Sequence, residues 1–360
     1  MTYFIIIFIA LIIILGVLEL GARIYYRLKF LIPFKSRVIG EYPYGQFIEK
    51  IDPPLEYRFT TGFRSKMVNI NRFRCRGAEP KPDNTKKRIM LIGESVFFGV
   101  KLRHEDQVWS AKLEKILADR GFDNWEVINA GNPTYNSYQH RLLWEQDLNK
   151  AKPDILLIEI GSNDVSQAWM MGSKWKPGTP WPWKFIMALE RKSLWWNKIF
   201  SRFCFYLFLR RNKIERKNFP RWDKHIQWER CLDCIADNHK KIIQNAQKQG
   251  IKVALVSFGF AYDLTITEKQ ARSLEAIQSN WQSFIKGRAE YDHGLVDLIK
   301  QTAKKFNIPH ISLDTAFRNH PQRYRFYLDL VHYNSQGMEF VAETLYNNII
   351  KYGWLDQSSK

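Results

Sequence analysis

The stretch Arg88-Ile89-Met90-Leu91-Ile92-Gly93-Glu94-Ser95-Val96-Phe97-Phe98-Gly99 decides how the rest of the chain is read. Ile89 to Gly93 is short and apolar and follows the polar run Asn84-Thr85-Lys86-Lys87, as a buried strand would. Gly93 permits a close turn, and Trp109 to Leu117 beyond it has helical spacing. Ser95 is therefore placed at the carboxyl end of a strand and before a helix, at the edge where open α/β sheets bind ligands. A hydroxyl there, next to N–H groups that favour negative charge, suits a nucleophile beside an oxyanion site. The same turn also arises where a serine only caps a helix, and this stretch alone leaves both readings open.

Downstream of it, strands alternate with helices. Strands are predicted at Ile89–Ile92, Glu126–Asn129, Ile155–Ile160, Lys252–Phe258 and His310–Leu313. Helices are predicted at Trp109–Arg120, Tyr138–Lys150, around Glu229–Gln249, around Glu268–Phe306 with a break near Asp292, and at Ser335–Tyr352. Such alternation argues for an α/β fold, a parallel sheet covered on both faces. Gly121 and Gly250 stand where helix ends need a left-handed residue.

Four positions follow predicted strands: Ser95, Gly131 in Asn129-Ala130-Gly131, Asn163 in Gly161-Ser162-Asn163-Asp164, and His332 in Asp329-Leu330-Val331-His332. In a parallel sheet their strand ends open on one edge, so residues distant in sequence can converge. Acyl transfer needs this set. A serine hydroxyl requires a base, for which His332 is suited; Asp329, three residues earlier, can fix the imidazole tautomer. The Ser95 N–H, the Gly131 N–H and the Asn163 amide can act as oxyanion donors. Each residue also has a plainer role: Gly131 as a turn glycine, Asn163 as a cap, and His332 as a histidine approaching a helix capped by Asn334 or Ser335.

The blocks Gly93-Glu94-Ser95, Asn129-Ala130-Gly131, Gly161-Ser162-Asn163-Asp164 and Asp329-Leu330-Val331-His332 resemble those of the SGNH (GDSL-type) hydrolase superfamily, from about Lys86 to Tyr352. The resemblance implies a flavodoxin-like three-layer α/β/α sandwich with a mainly parallel five-stranded sheet, and ester hydrolysis or acyl transfer with neither metal nor cofactor. It implies Ser95 as nucleophile, His332 as base, Asp329 as its orienter, and Ser95, Gly131 and Asn163 as the oxyanion hole. The chain departs from the family in placing Glu94 where an aspartate is usual. The extra methylene bears on the turn that holds Ser95, and an inactive hydrolase fold that serves as a membrane scaffold is the alternative function.

The remaining sequence sets the surroundings. With 360 residues and 45% hydrophobic side chains, the chain can bury a large core. Tyr3 to Leu18 is an almost unbroken apolar run, close to the length that spans a bilayer; an uncleaved N-terminal transmembrane anchor is expected over residues 1–30. Its basic flank, Arg23, Arg27, Lys29, Lys35 and Arg37, would keep the main domain in the cytoplasm. The segment Leu18-Glu19-Leu20-Gly21-Ala22-Arg23 resembles membrane-anchored bacterial members of the family; that resemblance implies envelope glycans and an extracytoplasmic catalytic domain, the side expected here against the flanking charge, and an acyl ester of a glycan or lipid is the expected substrate. Residues 31–85, broken by prolines, read as an irregular lead-in without chemistry, and 86–360 as the hydrolase domain.

Within that domain Val165–Lys224 departs from the alternation. It holds seven of the 13 tryptophans and 14 Lys+Arg against 3 Asp+Glu, more than half of the net charge of +19. Next to the apolar run Ile199–Leu209, this composition suits a bilayer surface or a lid with its own core. No nucleic-acid motif accompanies the charge, so nucleic acid is not an expected partner. Cys75, Cys204, Cys231 and Cys234 do not make a disulfide framework. Cys231-x-x-Cys234 lacks a second ligand pair and reads as two small apolar helix residues.

Overall fold

The computed structural model describes residues 2–30, 47–52, 54–55, 57–82, 85–171, 175–177, 228–263, 265–267, 269–270 and 281–355. The chain divides into two units, Ile51–Trp181 with Pro220–Lys360, and Met1–Lys50 with Pro182–Phe219.

The first unit contains five parallel strands: β1 (Lys87–Gly93), β2 (Trp125–Gly131), β3 (Ile155–Glu159), β4 (Lys252–Ser257) and β5 (His310–Ser312). Their order is β2-β1-β3-β4-β5 and every pairing is parallel. The order reverses at β1, which pairs with both β2 and β3; this is the switch point where doubly wound sheets bind ligands. The register sets Gly93 opposite Gly131 on one side and Glu159 on the other, so three of the predicted blocks meet at one edge.

The period of two along β1 sorts its side chains between the faces. Ile89 and Leu91 join the core formed with Trp109, Leu113 and Leu117 of α3 (Trp109–Asp119) and Val341 and Leu345 of α9 (Ser335–Lys351). Spacings of three and four make each helix apolar on the face it buries. The other layer packs α4 (Ser137–Gln146), α6 (Trp228–Lys248) and α7 (Trp281–Lys305), with α5 (Ser162–Met171) against α6 and α7. Each buried Leu or Ile contributes roughly 1.5–3 kcal/mol relative to an exposed one. Left-handed Gly121 (φ 83°) and Gly250 (φ 75°) end α3 and α6, as their positions predict.

The expected three-layer flavodoxin-like architecture is therefore present, and the predicted strands begin and end within three residues of the observed ones. Several local expectations are corrected. No break occurs at Asp292: α7 runs through it, because the buried carboxylate accepts a hydrogen bond from the Tyr262 hydroxyl. Leu313 does not end β5 but starts the short helix α8 (Leu313–Arg318), capped by the Ser312 hydroxyl, which accepts from the Thr315 N–H. The helix expected to reach Lys150 ends at Gln146, followed by a separate 3-10 turn at Leu148–Ala151. Ser95 does not lead into the Trp109 helix; it opens its own single turn, α2 (Ser95–Phe98).

Of the insertion Val165–Lys224, residues 165–171 belong to α5 and 175–177 are described. The rest of its tryptophans and basic residues, Ile199–Leu209 and Cys204 lie outside the described residues, as do 31–46 of the lead-in. Cys75, Cys231 and Cys234 are free thiols. Burial pushes the Cys234 thiol up to about 11, which keeps it neutral.

The second unit carries α1 (Thr2–Phe30), whose segment Tyr3–Tyr25 has mean hydropathy 3.0 and is long and apolar enough to cross a membrane.

Candidate active site

At the carboxyl edge of the sheet the structure brings together Ser95, Asp329 and His332. The tight loop Leu328–His332, closed by the Leu328 N–H donating to the His332 carbonyl at 2.7 Å, carries the last two. Asp329 Oδ1 accepts from the Val331 N–H at 2.9 Å and the His332 N–H at 2.8 Å. The same carboxylate faces His332 Nδ1 at 2.9 and 3.1 Å. An ionised carboxylate only accepts, so Nδ1 carries the proton and Nε2 of the neutral ring is left as an acceptor. Ser95 Oγ lies 3.1 Å from that Nε2 and donates to it. Burial raises the Asp329 carboxyl, but the hydrogen bonds it accepts from His332 and from the Lys101 ammonium outweigh it and hold the group well below the usual carboxylate range.

The plain cap reading of Ser95 does not apply. The N-cap of α2 is Glu94, which makes no side-chain capping bond, and the Ser95 hydroxyl turns to His332. The Ser95 N–H has no acceptor among the described residues. Asn334 does cap α9, accepting from the Gly337 N–H at 3.0 Å, so the cap and His332 have separate tasks.

Glu94, the departure from the usual aspartate, is accommodated by reach. Its Oε1 accepts from the Gly161 and Asn163 N–H groups, each at 2.9 Å, and its Oε2 also from Asn163 N–H at 2.9 Å. Block one thus holds block three by the backbone. Gly161 is left-handed at φ 121°, a conformation open to glycine, and this turns the chain toward Glu94. Beneath lies Glu159, whose Oε2 accepts from the Glu94 N–H at 3.3 Å. Burial, then the charge of Glu94, raises the Glu159 carboxyl well above the ordinary range, which favours its protonated form.

Asn163 is the second residue of α5, and its side-chain amide donates to the Tyr135 carbonyl at 2.9 Å. An amide nitrogen carries two hydrogens, so one remains for a ligand. Gly131 is placed differently from its expected role. Its N–H donates to Asn129 Oδ1 at 3.0 Å, within β2. A Cβ there would stand 2.3 Å from the Phe98 nitrogen, so the glycine allows β2 to touch the turn that carries Ser95. Gly131 thus shapes the site, and its N–H is already engaged.

Several contributors had no sequence signal. Lys101 Nζ binds Asp329 Oδ2 at 2.5 Å. Arg76, fully buried in the lead-in, donates to the carbonyls of Phe98 (2.9 Å), Gly99 (2.8 Å) and Met67 (2.7 Å), fixing the end of α2. Thr134 lies at φ 70° in the loop that supplies Tyr135, a strained conformation for a residue with a branched Cβ. That loop is braced by the Tyr57 hydroxyl donating to the Pro133 carbonyl at 2.5 Å. Glu159 alone was legible in kind, as the one acid in the apolar run Ile155–Ile160.

A carboxylate, an imidazole and a serine hydroxyl in one hydrogen-bonded line at the switch point of a parallel sheet form the arrangement of the ester-hydrolysing serine hydrolases. The sequence carries the same assignment further. The model of the GDSL-like lipase/acylhydrolase family matches residues 91–340, and the chain belongs to that family. No curated protein matches the sequence at a significant level. Similar solved structures include a lipase/acylhydrolase from Enterococcus faecalis, with 17% identity, TM-score 0.46, and coverage of 76% of this chain and 100% of that one. An acetyl xylan esterase aligns with 19% identity, TM-score 0.44, and coverage of 73% and 99%. A GDSL-like lipase from Bacteroides thetaiotaomicron aligns with 16% identity, TM-score 0.42, and coverage of 76% and 92%.

Proposed function

We propose that the chain is a membrane-anchored serine esterase or O-acyltransferase that acts through an acyl-enzyme on Ser95, on an acyl ester of a glycan or lipid. The observation that carries this reading is the continuous line from Asp329 through His332 to Ser95, closed by the 3.1 Å contact of Nε2 with Oγ. In the first half-reaction Ser95 Oγ attacks the ester carbonyl carbon as its proton passes to His332 Nε2. The resulting oxyanion is met by the Ser95 N–H and the Asn163 amide. His332 then returns the proton to the departing alkoxide, and the acyl group stays on Ser95. In the second half-reaction water or an acceptor hydroxyl gives its proton to His332 Nε2 and attacks the acyl-enzyme; the acyl–Oγ bond then breaks, Ser95 Oγ takes the proton back from His332, and the acid or the new ester leaves. Water makes the protein an esterase; a sugar hydroxyl makes it a transferase. The apolar α1 supports a substrate presented at a membrane.

The test is labelling of the detergent-solubilised full chain with a fluorophosphonate, together with turnover of p-nitrophenyl acetate. Ser95→Ala is expected to abolish labelling, and His332→Ala to lower turnover by about 10³-fold or more. Labelling that persists in Ser95→Ala would overturn the assignment. A wild-type protein that never labels would favour a scaffold that has kept the hydrolase fold.

A further inference from the structure

Asp329 receives more donors than orienting a histidine requires. Two backbone N–H groups and Nδ1 of His332 serve that purpose. The additional partner is Lys101, 228 residues away in sequence, at 2.5 Å from Oδ2. Lys101 follows α2 by three residues, and the Val100 N–H ahead of it donates to the Ser95 carbonyl at 3.1 Å. One ion pair therefore ties the turn of the nucleophile to the loop of the base. The backbone of Lys101 is left-handed at φ 71°, a region unfavourable to any residue with a Cβ. Such strain at a site is often functional.

We propose that Lys101 is a positioning residue of the Ser95 site: its ammonium steadies Asp329 and sets the pH range over which His332 can act as a base. The inference rests on the acyl-transfer reading above for its consequence in catalysis. Its physics is independent of that reading. Lys101 and Nδ1 of His332 share the Asp329 carboxylate, and a fixed cation there disfavours a second positive charge beside it, so changing the charge at position 101 perturbs the pair directly. The Lys101 side chain is 40% exposed, so solvent weakens the effect. Other charges nearby are constant across the test. Arg323, on the turn before the loop, is paired with Asp263 at 2.6 Å, and Glu339 on α9 with Lys112 at 3.2 Å. Arg325 offers its carbonyl to the Asn334 amide. The Glu94–Glu159 pair lies beneath Ser95, and burial foremost keeps Tyr327 and Tyr333 protonated.

The experiment is a charge series in the full chain in detergent: Lys101→Arg, Lys101→Met and Lys101→Glu. Two quantities are read, the acid limb of kcat/KM for p-nitrophenyl acetate and the imidazole titration of His332 by ¹⁵N NMR with labelled histidine. Both midpoints are expected to rise in the order Arg, Met, Glu. Lys101→Arg should stay near wild type, Lys101→Met should move up by about half a pH unit, and Lys101→Glu by about one unit. A purely structural role would lower the rate without this order. Midpoints that coincide across the series in a folded protein would overturn the proposal. The NMR titration stands even without turnover: an ordered shift in a protein that hydrolyses nothing would support the electrostatic inference and count against the acyl-transfer reading alone.

Discussion

Glu94 is the residue on which the departure of this chain from its family turns. Its carboxylate takes the N–H groups that position Asn163. Glu94→Gln keeps the length and removes the charge, so the hold on Asn163 weakens while Ser95 and His332 stay in place. Turnover of p-nitrophenyl acetate by Glu94→Gln is expected to show kcat lowered by about 10–100-fold with little change in KM, as for an oxyanion donor displaced. Glu159 makes the opposite kind of prediction. Its carboxyl is raised in the folded protein, so the unfolded chain releases the proton first as pH rises and stability is lost above about 4.5. Glu159→Gln is therefore expected to raise Tm at pH 8 and to leave it nearly unchanged at pH 4, as read by thermal melts at the two values. Glu94 and Ser95 were legible as a departure and a candidate nucleophile because they sit in one short block. The partners of Glu94 were not, since backbone N–H groups carry no sequence signature, and neither was Lys101, whose bond spans two distant loops.

Among the helices, α4 and α6 bury two histidines that the site does not use. His140 and His239 are fully buried, and their ring nitrogens have no hydrogen-bond partner among the described residues. Burial lowers His140 from 6.5 to about 3 and His239 from 6.5 to about 4. Both are neutral in the folded state, while in the unfolded chain they take up protons below about 6.5. Folding stability is therefore lost as pH falls from 6.5 to 4, by about 1.4 kcal/mol per pH unit for each ring. The double variant His140→Phe, His239→Leu is expected to flatten that slope in urea melts at pH 7, 6 and 5. The same helices show where periodicity reads well. The apolar spacing of α3, α6 and α9 gave their bounds to within a residue or two. It failed for α5, which opens on Ser162-Asn163-Asp164, residues that also favour turns. It failed again near Asp292, where the helix runs on; the nearby Gly294 serves packing, since a Cβ there would meet the Trp228 ring at 2.7 Å.

For the molecule as a whole, the parallel sheet was readable because strands alternate with helices, whereas the strand order and the place of β1 at the switch point come from the structure, since alternation alone does not say on which side each new strand is added. The membrane question belongs to this scale as well. α1 is solvent-exposed along its apolar length, and Tyr3–Tyr25 has the composition of a span. The full chain is expected to sediment with membranes and to stay there after carbonate washing, whereas a chain lacking residues 1–30 should be released. Alkaline phosphatase fused after Lys360 reads the side: an active phosphatase is the outcome for an extracytoplasmic C-terminus, and an inactive phosphatase with a bright cytoplasmic fluorescent fusion is the outcome if the basic flank decides.

The buried guanidinium of Arg76 has a practical corollary. The family match begins at residue 91, inside β1, yet the Phe98 and Gly99 carbonyls of the nucleophile's turn are gripped from fifteen positions upstream of that start. The loop after β2 is braced from still further back, at Tyr57. A gene fragment cut at the homology boundary would therefore keep all three members of the line from Asp329 to Ser95 and still lose the struts that aim them. Excision, shuffling between relatives or minimisation of this hydrolase has its lower limit ahead of Tyr57, and the lead-in travels with the catalytic unit as its scaffolding.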